Sequence, residues 1–225
     1  MIFICNIIAS EKQSTLTLFK QQNNQTLYFV AFFYTIPKGF ILESFIFAKK
    51  NTMLYIYGAT AHAKTAVDVA EDLAIEIGGL IDKSLLIEDV FDYEVQLHHQ
   101  VKSTDEDFFI AVKNPGLRQR IVSENADWNY QTLIHPKAYV SKRAEIGEGT
   151  IILPGASIAP DVQIGNHCVI AGSAVIESNT IIEDFVNIGP NVSIGANVLV
   201  GRGSEIKANT RIEDEETIPK ESIID

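Results

Sequence analysis

The residues of this chain that are equipped for chemistry begin with a turn, an acid, two arginines and five histidines. The turn is Gly58-Ala59-Thr60-Ala61-His62-Ala63, a run of small residues between an apolar stretch and a helical one. Backbone N–H groups gathered at the start of a helix suit a phosphate. Asp82 closes the next apolar stretch, where an acid suits a hydroxyl or base-edge contact in dinucleotide folds. Only Gly58 remains of a glycine fingerprint, so the pattern alone does not define a dinucleotide site. Arg118 and Arg120 share a short helical stretch and face either an anionic ligand or solvent. Among the histidines, His135 reads as a turn residue before Pro136, His167 as an outward-pointing repeat residue, and His98-His99 as part of a loop. His62 reads either as a ligand contact or as a hydrogen-bonder at a helix N-terminus. No pair has Cys, Asp or Glu at ligand spacing, so no metal site is expected.

The elements that must carry these groups read as a βαβ unit. Residues 54–57 form a short apolar strand, and Ala66, Val67, Val69, Ala70, Leu73, Ala74 and Ile77 recur at three and four, as on one helix face. A second strand follows at 77–81, so a parallel sheet with right-handed crossovers is expected. A third strand is expected at 107–112. Asn114-Pro115 makes a loop, and a helix at 117–125 carries both arginines.

Beyond this unit the sequence changes character. From Ile134, stepping by six gives Val140, Ile146, Ile152, Ile158, Ile164, Ile170, Ile176, Ile182, Ile188, Ile194, Val200 and Ile206, thirteen units opening on Ile or Val. A small or short branched residue stands four places after each start, from Ala138 and Ala144 to Ser204 and Thr210. Position two is often Gly, as at Gly147, Gly165, Gly189, Gly195 and Gly201. Neither a helix nor a simple strand locks at six. Hexapeptide repeats of this kind mark a parallel β-helix whose stacked coils bury a continuous core. Roughly four coils are expected over 134–212, with Cys168 a small interior residue.

The chain has 225 residues, 46 % of them hydrophobic and 21 % charged, as in a soluble globular protein. Its net charge of -11 argues against sequence-independent binding of nucleic acid or anionic membrane. Cys5 and Cys168 make no disulfide framework, in keeping with the cytoplasm. Residues 1–52 differ from the rest: they hold ten of the aromatics, a Gln/Asn cluster at 21–25, and a charge of about +3 from five Lys and two Glu. Within them 27–47 is the most apolar stretch, and Pro37, Lys38, Gly39 and Glu43 interrupt it short of a membrane span. These residues read as an appendage from an upstream start, with the native protein expected to begin at Met53. The expected domains are therefore 1–52 as appendage, a small α/β domain at 53–129, and a β-helix at 130–225.

On four ordered marks the chain resembles the NeuD/PglD-like sugar acyltransferases, hexapeptide-repeat acetyltransferases of bacteria. The marks are Gly58-Ala59-Thr60-Ala61-His62-Ala63-Lys64, then Gly79-Leu80-Ile81-Asp82, then Phe109-Ile110-Ala111-Val112-Lys113-Asn114 with Arg118, and finally Leu133-Ile134-His135-Pro136. The resemblance implies a Rossmann-like α/β domain followed by a left-handed parallel β-helix, a homotrimer, and acetyl-CoA bound between neighbouring β-helices. It implies a nucleotide-sugar at Gly58, Thr60, His62, Asp82, Asn114 and Arg118, and the co-substrate near Gly189, Gly195 and Gly201.

The chain departs from the family where the chemistry is done. The family's catalytic histidine lies in a Glu-His-Asp segment, which here is Glu177-Ser178-Asn179, and its second histidine falls at Asn187. Attack on a thioester needs an amine or hydroxyl relieved of its proton, for which imidazole is the usual base. Ser178 cannot replace it without a partner, and Glu177 either acts as a base, if burial raises its pKa, or merely orients Ser178. The family's Gly-x-Pro-Ala tail is also not visible in 211–225, where Glu213-Asp214-Glu215-Glu216 would repel CoA phosphates if it lay near them. Two readings follow: an acetyltransferase acting on an amino or hydroxyl group of a nucleotide-linked sugar in surface polysaccharide synthesis, or a silent homologue that binds a nucleotide-sugar or partners an active enzyme. A purely structural β-helix trimer is a third. Histidine restored at 178, and then at 187, is expected to raise turnover.

Overall fold

The computed structural model describes residues 52–225 except 85 and 99–105, and the backbone alone of 5–10, 13–22, 25–36 and 39–49. His99 lies outside the described residues. The chain divides into two compact units, 1–51 and 52–225. In the first, β1 (Cys5–Ser10), β2 (Gln13–Gln22), β3 (Gln25–Ile36) and β4 (Gly39–Lys49) form an antiparallel sheet in sequence order. Among the described residues no helix is long and apolar enough to cross a membrane.

The second unit opens with β5 (Leu54–Tyr57), α1 (Ala61–Asp72) and β6 (Ile77–Asp82). A small hairpin of β7 (Asp89–Val90) and β8 (Tyr93–Leu97) follows, then β9 (Asp107–Ile110), α2 (Pro115–Glu124) and β10 (Asn129–Tyr130). The sheet order is β10-β9-β5-β6-β8-β7, parallel except where β7 meets β8. β5 is central because its side chains are apolar toward both layers. Leu54 and Ile56 meet Ala63, Ala66, Val67 and Ala70 of α1, while Tyr57 joins Phe108, Ile110 and Ile121 on the other face. α1 is shorter than its apolar pattern: Ala74 turns the chain at φ 53°, so Leu73, Ala74 and Ile77 lie beyond the helix.

From Leu133 the chain winds into a parallel β-helix with three flat sides of six, five and five strands. The first side stacks Leu133–Ile134, Ile151–Ile152, Val169–Ile170, Asn187–Ile188, Glu205–Ile206 and Ile223–Ile224. The second runs from Tyr139–Val140 to Arg211–Ile212, and the third from Glu145–Ile146 to Thr217–Ile218. The repeat residues Ile152, Ile158, Ile170, Ile176 and Ile194 are fully buried, as are Thr150, Cys168, Ala174 and Thr180 four places after a start. The repeat does not stop near Ile212: Ile218 and Ile224 continue it, giving five complete coils and one further strand where four were expected.

The corners explain the remaining sequence pattern. Asp161, His167, Ser173, Asn179, Phe185, Asn191, Asn197 and Asn209, spaced by six or its multiples, all adopt positive φ, with Gly149, Gly155 and Gly203 in the same series. Asn and Asp tolerate that region and Gly adopts it freely. The glycines at position two answer a different need. A Cβ on Gly189 or Gly201 would come within 2.6 Å of the backbone nitrogen of Ala208 or Lys220 in the next coil.

Candidate functional site

β5 pairs with β6 on one side and β9 on the other, so the chain reverses direction across the sheet at β5 and β9. Ligands of open parallel sheets bind outside the strand ends at such a reversal. Gly58 closes β5 with φ +109°, donating its N–H to Ile81 O at 2.7 Å. A Cβ there would meet Ala111 O at 2.9 Å, so the two sides of the crevice approach as only glycine allows. Thr60 is the exposed N-cap of α1, and its hydroxyl makes no capping bond. Asp82 accepts from Ala59 N at 3.2 Å and from Ser84 N at 3.1 Å, so its carboxylate braces the turn. Asn114 caps α2 by accepting from Leu117 N at 2.8 Å. Gly58, Thr60, His62, Asp82 and Asn114 thus stand at the ends of β5 and β6 or at the starts of α1 and α2.

Arg118, the sixth residue expected to contact the nucleotide-sugar, has other partners. Its side chain is 1 % exposed, on neither a solvated helix face nor an open crevice. The guanidinium donates to Val112 O (2.6 Å), Lys113 O (3.0 Å), His167 O (2.8 Å), Phe185 O (3.2 Å) and Asn187 Oδ1 (2.8 Å). Asn187 is buried, and its Nδ2 donates to Lys113 O at 2.8 Å. The α/β domain and the first side of the β-helix also share an apolar core, with Ala59 and Ala63 in one cluster with Leu133, Ile151 and Val169.

Glu177 and Ser178 lie elsewhere, at the corner where the second side turns into the third. Glu177 is exposed and Ser178 half-buried, with Ser178 O accepting from Asn197 N at 3.1 Å. The single chain therefore does not bring Asn187, on the first side, beside Ser178. An open groove of about 390 Å³ runs along the third side, between Glu145, Gln163, Ile181 and Glu183. Gly189, Gly195 and Gly201 sit against the next coil, where their lack of a side chain serves stacking.

The histidines separate clearly. His135 accepts from Lys137 N at Nδ1 (2.9 Å) and donates from Nε2 to Asp72 (2.7 Å), so it is the structural turn residue expected. His98 pairs with Asn125 at 3.0 Å. His167 is 2 % exposed and not outward in solvent: it is covered edge-on by Tyr130 and stacked on Phe185, with ring centroids 5.2 Å apart. Its Nδ1 has no hydrogen-bond partner, and neither has buried Nε2 of His62. Burial, with the Arg118 charge next, lowers both imidazoles from 6.5 to about 4; Lys113 adds to the effect at His62, while Asp184 opposes it at His167.

That depression sets a pH dependence. Between about 6.5 and 4 the unfolded chain binds protons at these sites and the folded chain does not. Their contribution to stability is full above about 6.5 and is lost as pH falls toward 4. The thermal midpoint is expected to drop across that window, and His167→Phe, which keeps the stacking, to flatten the drop. An unchanged slope in the variant would contradict a buried neutral imidazole at 167.

The fold defines a class: a small Rossmann-like domain joined to a hexapeptide β-helix. Residues 53–125 match the PglD N-terminal domain, and 143–178 and 179–214 match the bacterial transferase hexapeptide (six repeats). The chain thus carries a PglD N-terminal domain followed by bacterial transferase hexapeptide repeats, in the order of the NeuD/PglD-like proteins it resembles. Solved structures share the fold. A histidine-to-alanine mutant of GDP-perosamine N-acetyltransferase from Caulobacter crescentus, in complex with CoA and GDP-perosamine, superposes with TM-score 0.71 at 23 % identity, over 76 % of this chain and 84 % of that one. WeeI from Acinetobacter baumannii AYE gives 0.63 at 16 % identity, over 77 % and 97 %. The acetyltransferase domain of PglB from Neisseria gonorrhoeae FA1090, in complex with acetyl coenzyme A, gives 0.59 at 20 %, over 77 % and 95 %.

Proposed function

We propose that this protein is an acetyl-CoA-dependent acetyltransferase acting on an amino or hydroxyl group of a nucleotide-linked sugar in cytoplasmic steps of surface polysaccharide synthesis. The observation that carries the reading is the joining of a PglD-type domain, with its crevice at β5 and β9, to a hexapeptide β-helix through a shared core. Relatives of this architecture are seen with CoA and a GDP-linked sugar, or with acetyl coenzyme A. In this reading the protein is a homotrimer with acetyl-CoA between neighbouring β-helices. The turn at Gly58 and the start of α1 receive the diphosphate. The acceptor attacks the thioester carbonyl near Ser178, a proton leaves the acceptor, and CoA departs as the thiol. Glu177, exposed in the single chain, takes that proton where a neighbouring β-helix covers it.

A second reading rests on one specific observation. The corner at 177–179 presents a carboxylate and a hydroxyl where the family has imidazole, so a homologue that binds nucleotide-sugar without turnover also fits. Calorimetric titration with acetyl-CoA and with GDP- and UDP-linked amino sugars separates them. Binding of both ligands is expected for the enzyme, and of the sugar alone for the silent binder. Binding of neither would reject both and leave a structural scaffold.

A further inference from the structure

Arg118 and Asn187 lie in the part of the molecule where a ligand would be expected, yet every guanidinium N–H of Arg118 and both polar side-chain atoms of Asn187 are bonded within the protein. The guanidinium is buried without a carboxylate partner, and burial lowers its pKa from 12.5 to about 10. Burying a cation this way is costly, and a residue held so is spent on geometry. Its donors divide into two sets. Nη1 holds Val112 O and Lys113 O, in the loop that leaves β9 and forms one wall of the crevice. Nε and Nη2 hold His167 O, Phe185 O and Asn187 Oδ1, all on the β-helix. Asn187 completes the figure, because its Nδ2 returns to Lys113 O. The crevice wall is therefore bolted to the β-helix by two side chains that also bond each other.

The corner beneath them is shaped to the same end. His167 and Phe185 hold positive φ of 54° and 60°, a conformation that bulky residues adopt rarely. At both positions the carbonyl accepts from Arg118, and the two rings stack on each other. Two bulky residues tolerating that strain in the one column that receives the guanidinium is an independent sign that the contact is built in.

We propose that Arg118 and Asn187 form a pin that holds the β9–α2 loop, and with it the crevice wall, in its ligand-binding position. Both are positioning residues, and neither touches substrate nor exchanges a proton with it. The inference rests on the nucleotide-sugar reading for its ligand, but the pin has a readout of its own. It also gives the position of the family's second histidine a different use here: an amide accepts from Arg118 and donates to Lys113 O at once.

Asn187→Ala tests this in the full-length protein, since it removes two hydrogen bonds and leaves the buried cation its four carbonyls. Amide exchange of residues 112–117 is expected to speed up at least tenfold, with exchange in the coils around Ile158 and Ile176 unchanged. Affinity for a GDP- or UDP-linked amino sugar is expected to weaken about tenfold, and that for acetyl-CoA by less than threefold. Arg118→Lys, which keeps the charge but loses the fork and at least two of the five bonds, is expected to quicken exchange at 112–117 at least as much as Asn187→Ala. A catalytic Asn187 would instead lower turnover with unchanged affinity and exchange, and that result overturns the pin. If exchange quickens at 112–117 while wild type binds no nucleotide-sugar, the pin stands and the proposed ligand fails. Unchanged exchange rejects the pin whatever binds.

Discussion

Turnover of the Ser178→His variant is expected to exceed that of the native protein by roughly 10²–10⁴, the usual worth of general-base help. The corner can take the change. Ser178 is held through its backbone, its carbonyl accepting from Asn197 N at 3.1 Å, and its side chain is only half-buried. Glu177 precedes it, exposed, and can orient an imidazole at 178 as a carboxylate orients the base in other acyl-transfer sites. Equal rates in wild type and variant, with acetyl-CoA bound in both, would place the base elsewhere. His167 is then no candidate, being enclosed by Tyr130 and Phe185. The structure also revises the second step. Asn187 is bound on both sides by Arg118 and Lys113 O, so Asn187→His disturbs a buried cation and is expected to lower stability without adding rate.

The largest stability effect is expected at Arg118. Arg118→Met removes five hydrogen bonds and strands buried acceptors on both sides of the domain junction. Each buried, unsatisfied acceptor costs about 1–3 kcal/mol, partly offset by relief from burying an unpaired charge. A net loss of about 3–5 kcal/mol is expected, in line with breaking a buried charged contact. It should fall unevenly: the α/β domain should melt first, while the β-helix, whose coils contact only their neighbours, persists. Calorimetry that shows one unshifted transition would mean that the junction depends on the apolar core of Ala59, Ala63, Ile151 and Val169 alone.

The contrast between these residues shows what could be read from the chain. The β-helix was legible because its constraints recur locally: each interior Ile, each small residue four places later and each Gly against the next coil repeats every six residues. The end of the repeat was not, because the acidic run Glu213-Asp214-Glu215-Glu216 separates Ile212 from Ile218 and Ile224 while the backbone continues the coil. The βαβ unit was legible from its apolar runs, whereas the hairpin of β7 and β8 rests on two short strands with no periodic signal. Arg118 was misread as facing ligand or solvent because its partners at His167 and Asn187 lie far along the chain. One signal was available: His167 and Phe185 are the two aromatic rings at a corner position that elsewhere holds Asn, Asp, Ser, Glu or Gly, and both mark the place where the α/β domain lands.

The most direct test of the acetyltransferase assignment is release of free CoA thiol by the native protein supplied with acetyl-CoA and a GDP- or UDP-linked amino sugar, with the sugar product weighed by mass spectrometry. The expected result is thiol released one for one with acetylated nucleotide-sugar, slowly in the native protein and faster with histidine at 178. No acetylated product from either protein, together with no binding of acetyl-CoA, would contradict it.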